Sequence, residues 1–142
     1  MAELHPALLM FIGWRHVESR VLDAVTAAGH ELTLAQARLV ARIGENGTRL
    51  TELAEQAQVT KQSAGFLVDQ LERAGYVERV ADPADARARL IRISDSGWEV
   101  CRIARKVERD VLREWRRHLG PDRFAAMQEA LVALREIADP YA

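Results

Sequence analysis

One cysteine, four prolines, few aromatic residues and no long apolar run are what stand out as scarce in this 142-residue chain. A lone thiol, Cys101, excludes an internal disulfide framework and fits a reducing compartment, so the expected location is the cytoplasm. No basic segment followed by an apolar run opens the chain, and no apolar stretch is long enough for a bilayer. It is therefore expected to be soluble, neither secreted nor anchored, with no membrane partner. The histidines, His5, His16, His30 and His118, lack metal-ligand spacing, and none shares a short motif with Cys101. A glycine-rich phosphate loop after a strand is also missing. These absences argue against an enzyme, a metal site or a bound cofactor.

The net charge of −1 argues against a non-specific polyanion coat but leaves a locally basic face open. Its distribution says more than the total: residues 1–60 carry five Arg or Lys against seven acids, whereas 102–117 carry seven against three. With about half its residues apolar, the chain suits one compact domain burying roughly two-thirds of its unfolded surface, without help from metal or disulfide.

Leu8, Leu9, Ile12, Val17, Val21, Leu22 and Val25 recur at helical spacing from about Pro6 to Ala28, before Gly29. Thr33 with Gln36 is a capping-box pattern opening a second helix, with Leu34, Ala37, Val40, Ala41 and Ile43 apolar and Gly44 as its stop. Gly47 supplies a turn, and Leu50 to Gln56 predicts a third helix with Leu53 and Ala54 inward. Thr60 caps a fourth, with Ala64, Leu67, Val68 and Leu71 inward and Gly75 as its stop. Two short helices around Ala57-Gln58-Val59 meet the requirement for a helix-turn-helix.

Tyr76 to Val80 and Arg89 to Ile93 alternate like strands, joined by a polar connector from Asp82 to Arg87. So small a hairpin must lean on the helices before it, which makes the module a winged helix. Ser94 caps a long helix through about His118, with Val100, Ala104, Val107, Val111 and Trp115 near one face; Gly120-Pro121 breaks it. The last helix carries Phe124, Met127, Leu131, Leu134 and Ala138 in a stripe that something must cover. A second copy, forming a two-fold homodimer, is one cover; closure of a monomeric core by both terminal helices is the other.

The blocks Leu50-Thr51-Glu52-Leu53-Ala54, Leu67 through Val77 and Asp82 through Gly97 resemble the multiple antibiotic resistance regulator (MarR) family of bacterial transcription factors, and the resemblance spans almost the whole chain. It implies a mainly α fold with a small β-hairpin wing: a winged helix-turn-helix in one MarR-type domain, 1–142. Residues 50–93 would be the DNA-reading lobe, and 6–28 with 115–138 the dimerisation region.

In this reading the fourth helix enters the major groove and exposes Lys61, Gln62, Ser63, Phe66 and Gln70. Gln62 suits bidentate contact with adenine, Ser63 a base edge or a phosphate, and Lys61 a phosphate. Arg87, near the wing tip, would enter the minor groove, Asp85 would orient its guanidinium, and Arg89 would contact phosphate. The alternative for these positions is an ordinary solvated helix face and charged turn. Similar proteins often have a hydroxyl residue and then an arginine where this chain has Gly65 and Phe66. Phe66 can touch a thymine methyl but cannot bond guanine or phosphate, or it turns inward as core.

The resemblance also implies an effector, a small aromatic or phenolic acid binding between the dimerisation helices and the reading lobe. Trp14, Arg15, His16, Arg38, Trp98 and Cys101 are the residues suited to line it, since arginine pairs with carboxylate, histidine bonds a phenol and tryptophan covers a ring. Packing is the competing role for the tryptophans and for Cys101, and redox sensing by Cys101 would need exposure and a depressed pKa. The leading expectation is a ligand-responsive homodimeric repressor on a palindromic operator. A regulator without a small-molecule response or acting as an activator, and a protein-interaction module that has lost DNA binding, are the alternatives.

Overall fold

The apolar periods resolve, in a computed structural model describing residues 2–141, into six helices and one antiparallel strand pair. In chain order these are α1 (Pro6–Ala27), α2 (Leu34–Val40), α3 (Leu50–Ala57), α4 (Lys61–Arg73), β1 (Val77–Asp82), β2 (Asp85–Ile93), α5 (Asp95–Leu119) and α6 (Pro121–Ala138). The fold is the winged helix-turn-helix expected, mainly α with a β-hairpin wing. Two compact units divide it, Leu22–Ala104 and the combination of Met1–Val21 with Arg105–Ala142. We call them the reading unit and the terminal unit.

Local chemistry sets the helix ends of the reading unit. At Thr33 the capping box is complete: its hydroxyl accepts from the Gln36 amide, and Gln36 Oε1 accepts from the Thr33 amide. The second helix stops at Val40, short of the expected Gly44. There the Arg42 and Ile43 amides donate to Leu39 and Val40, three residues back, and tighten the chain into a turn. Between α3 and α4, Gln58 adopts the left-handed conformation at φ 58°, and its side-chain amide donates to the Glu55 carbonyl at 2.7 Å. That reversal makes the turn of the helix-turn-helix.

Leu39, Val40, Ile43, Leu53, Ala54, Ala64, Val68, Leu71, Val77, Ile91 and Ile93 form one buried cluster, so both helices of the motif and the wing share a core. Trp98 and Cys101 of α5 pack half-buried against it. Gly97 permits a close approach there: a Cβ on it would sit 2.2 Å from the Tyr76 carbonyl oxygen. The closing glycine of the wing block thus has a steric reason.

The wing strands are longer than the alternation predicts. Val77 pairs with Ile93, Arg79 with Ile91 and Ala81 with Arg89, and Asp82 then pairs with Asp85, leaving Ala86, Arg87 and Ala88 in a bulge. Only Pro83 and Ala84 turn the chain. Arg87 accordingly lies in a bulged strand beside the tip rather than in an open loop.

In the terminal unit Val111 and Phe124 are buried, and Pro121 is the first residue of α6, as its fixed φ favours. Arg20 donates to Glu114 through both terminal nitrogens at 2.9 and 3.0 Å. That pairing holds the Glu114 carboxyl below its usual pKa. Much of the apolar surface stays open: Leu8, Leu9, Met10, Phe11, Ile12 and Trp14 on α1, and Leu131, Val132, Leu134 and Ile137 on α6, are all exposed.

Candidate nucleic-acid interface

Thr60 starts α4 with an N-cap whose Oγ1 accepts from the Ser63 amide at 3.0 Å and donates to Ser63 Oγ at 2.9 Å. Ser63 therefore accepts locally and keeps its own proton for an outside acceptor. Lys61, Gln62 and Ser63 are exposed in the first turn, and Phe66 stands one turn further along, 60% exposed. Inward burial of Phe66, the alternative left open by the sequence, is thereby excluded. Gln62, Ser63 and Phe66, with Val59, Ala35 and Leu67, line an open cavity of about 580 Å³. Gln70 is half-buried, and its Oε1 accepts from Gln36 Nε2 at 3.1 Å, which braces α4 against α2.

The wing is held by contacts that no short motif announces. Asp82, 10% exposed in its side chain, accepts from the Ala84 amide at 2.9 Å and, through Oδ2, from Arg49 Nε and Nη2 at 2.9 and 2.7 Å. The Ala84 amide first, and then Arg49, hold its carboxyl below the usual range. Thr48 and Ile91 exchange backbone hydrogen bonds at 2.9 and 2.8 Å, so the loop before α3 adds a short bridge to the outer side of β2. Arg79 on β1 reaches Glu72 and Asp69 of α4, both at 2.7 Å, tying the wing to that helix. Burial opposes its charge, but the two carboxylates outweigh that and raise its pKa.

No local motif announces Arg49, Arg79 and Asp82 as a framework, because their ion-pair partners lie seven to 33 residues away in sequence. One signal was available for Arg79. Strand alternation puts it on the same face as Val77, opposite buried Ile91, and an arginine facing inward on a strand calls for an acid.

Paired and unpaired cations now separate. Arg49, Arg79 and Arg92 are neutralised by Asp82, by Asp69 with Glu72, and by Glu78. Lys61, Arg87 and Arg89 are exposed and have no acidic partner among the described residues. Asp85 does not reach the Arg87 guanidinium as expected; its Oδ1 accepts from the Arg87 backbone amide at 3.0 Å and shapes the bulge instead. The result is a fixed scaffold presenting free positive charge from the first turn of α4 and from the wing.

The six residues suited to an effector divide between the units. Trp14, Arg15 and His16 lie exposed on α1 in the terminal unit, where His16 meets Trp115 edge-on at 5.9 Å. Arg38, exposed on α2, and half-buried Trp98 and Cys101 belong to the reading unit. No group of three or more His, Cys, Asp or Glu suited to a metal occurs among the described residues, nor does any helix long and apolar enough to cross a membrane.

Comparison with known proteins places this geometry. A sequence model of the MarR family matches residues 30–88, which contain α2 to α4 and the wing through Arg87. A search of curated proteins gave no significant match. Among solved structures, wild-type apo MarR from E. coli is similar at a TM-score of 0.72 and 20% identity, covering 94% of this chain and 98% of that one. Transcriptional regulator Tm0710 from Thermotoga maritima is similar at 0.65 and 26% identity, over 92% of this chain and 91% of its own. A mutant E. coli MarR complexed with operator DNA is similar at 0.69 and 21% identity, over 90% and 91%. The family's sequence model thus matches α2 to α4 with most of the wing, and the fold of MarR structures extends over nearly the full length of the chain.

Proposed function

We propose that the chain is a sequence-specific DNA-binding repressor that acts as a two-fold homodimer on a palindromic operator and is released by a small aromatic or phenolic ligand. The observation that carries the DNA reading is the sorting of cations in the reading unit. Arginines that build the wing are paired with acids, while Lys61, beside Gln62 and Ser63 on α4, and Arg87 and Arg89 on the wing are left exposed. Unpaired cations attract phosphate, and a glutamine with both donor and acceptor can read adenine. Lys61 and Arg89 are assigned to phosphate, Gln62 and Ser63 to base edges, and Arg87 to the minor groove, with Asp85 shaping the strand that carries it. Gln70 acts on the interface through its brace to α2.

The homodimer rests on the terminal unit, whose exposed leucines, Phe11, Trp14, Val132 and Ile137 exceed what a solitary surface needs. An isologous contact would cover them and present two reading units to two half-sites. For the effector, the candidates are Trp14, Arg15, His16, Arg38, Trp98 and Cys101, chosen for carboxylate pairing and ring contact. Release requires that the ligand prefer the unbound form of the protein.

Selection of duplexes from a random pool by the full chain tests this function. Enrichment of a two-fold symmetric site, bound by two chains per duplex, is expected. Benzoate or 4-hydroxybenzoate should then weaken binding in a fluorescence anisotropy titration. Failure to enrich any sequence would overturn the DNA reading; an asymmetric site bound by one chain would overturn the dimer; affinity unchanged by the aromatic acids would remove the effector.

A further inference from the structure

The outward face of α4 carries a feature that phosphate binding does not explain. Phe66 is 60% exposed and Val59 37% exposed, and both line the open cavity of about 580 Å³ whose remaining walls include Gln62 and Ser63. An aromatic ring presented to water costs apolar hydration, and this one shares its cavity with the polar residues best suited to read bases. Gln62 and Phe66 are four apart on the helix and so lie on one face.

We infer that Phe66, with Val59 beside it, is a specificity-determining residue that reads the C5-methyl group of a thymine next to the adenine contacted by Gln62. The inference rests on the DNA-binding function proposed above. In the major groove the thymine methyl is the one apolar group on a base edge, and a phenyl ring has no donor or acceptor with which to recognise anything else there. The cavity is open, so the base edge can approach without displacing a side chain. Its apolar and polar walls together match an A·T step: amide contacts for adenine, hydrocarbon for the thymine methyl.

The experiment uses the full chain and a duplex enriched from a random pool, with each thymine replaced in turn by deoxyuridine, which removes only the methyl group. Affinity is read by anisotropy for the natural chain, Phe66→Ala and Phe66→Leu. At one position per half-site, deoxyuridine should weaken the natural chain by about three- to fivefold, the effect of exposing one methyl group. Phe66→Ala should lose that sensitivity and bind thymine and uracil duplexes equally, and Phe66→Leu should keep part of it. At the same position cytosine should bind weakly and 5-methylcytosine should recover a similar factor. Because Phe66 is exposed, truncating it leaves the core intact, and circular dichroism checks this. A natural chain indifferent to deoxyuridine at every position, on a duplex it binds tightly, would overturn the methyl reading while leaving DNA binding in place. A pool that yields no enriched duplex would overturn the function on which the inference rests.

Discussion

Within Leu22–Ala104 the apolar residues of α2, α3, α4 and the wing are buried on one another; in the terminal unit the apolar residues of α1 and α6 are largely in water. The same kind of residue plays opposite parts in the two places. Leu53 is fully buried and Ile137 is 87% exposed. A unit with a closed core holds its shape unaided, and its exposed groups are then free to bind something else. A unit that exposes its apolar faces relies on a second surface, which is why the terminal unit carries the dimer proposal and the reading unit the DNA proposal.

The contrast breaks most visibly at Leu53. Leu53→Ala should lower stability by about 2–5 kcal/mol in urea unfolding, whereas Ile137→Asp should barely alter the stability of the dilute chain and instead abolish the dependence of its melting temperature on protein concentration. Equal destabilisation by the two would erase the distinction. Gly97→Ala should cost about 1–3 kcal/mol by the same measurement, because the new Cβ would collide with the Tyr76 carbonyl; a neutral result would show that the turn there yields easily.

A smaller change of opposite sign is expected at Gly65. Its Cβ would meet only Leu50 Cδ2 at an ordinary 3.8 Å, so Gly65→Ala should raise stability by roughly 0.5–1 kcal/mol through helix propensity. Loss of stability would point to crowding on that face.

The subtlest effect belongs to Asp82. Its folded carboxyl lies below the ordinary range, so the stabilisation it gives is complete above its unfolded pKa and fades as pH falls through the lower folded value. Arg49→Ala should move the Asp82 titration, followed by NMR of the Ala84 amide, to higher pH. An unmoved titration would remove Arg49 as a cause.

How much of this could be read beforehand depended on the range of the forces involved. Caps and periods are local, and Thr33, Thr60, Ala64, Val68, Leu71 and Pro121 stand where spacing put them. Ion pairs across the sequence are not local. In sequence Asp82 reads as one more solvated turn residue, whereas in the fold Arg49, 33 positions earlier, lies beside it. Phe66 was undecidable because helical period alone put it at the edge of the apolar stripe; its exposure follows from α2 and α3 closing the core over Ala64 and Val68 without it. The wing bulge was hidden for a similar reason, since alternation cannot reveal that Asp85 turns back onto the Arg87 amide.

In the proposed DNA binding, free cations are carried on a wing built by paired ones, and Arg87 is the sharpest case. A selected duplex titrated with the natural chain and with Arg87→Ala, at several salt concentrations, addresses it directly. Loss of one charged contact in each half-site should weaken binding by at least about tenfold and make the salt dependence shallower by about two contacts per duplex. Superimposable curves for the two proteins would contradict the account.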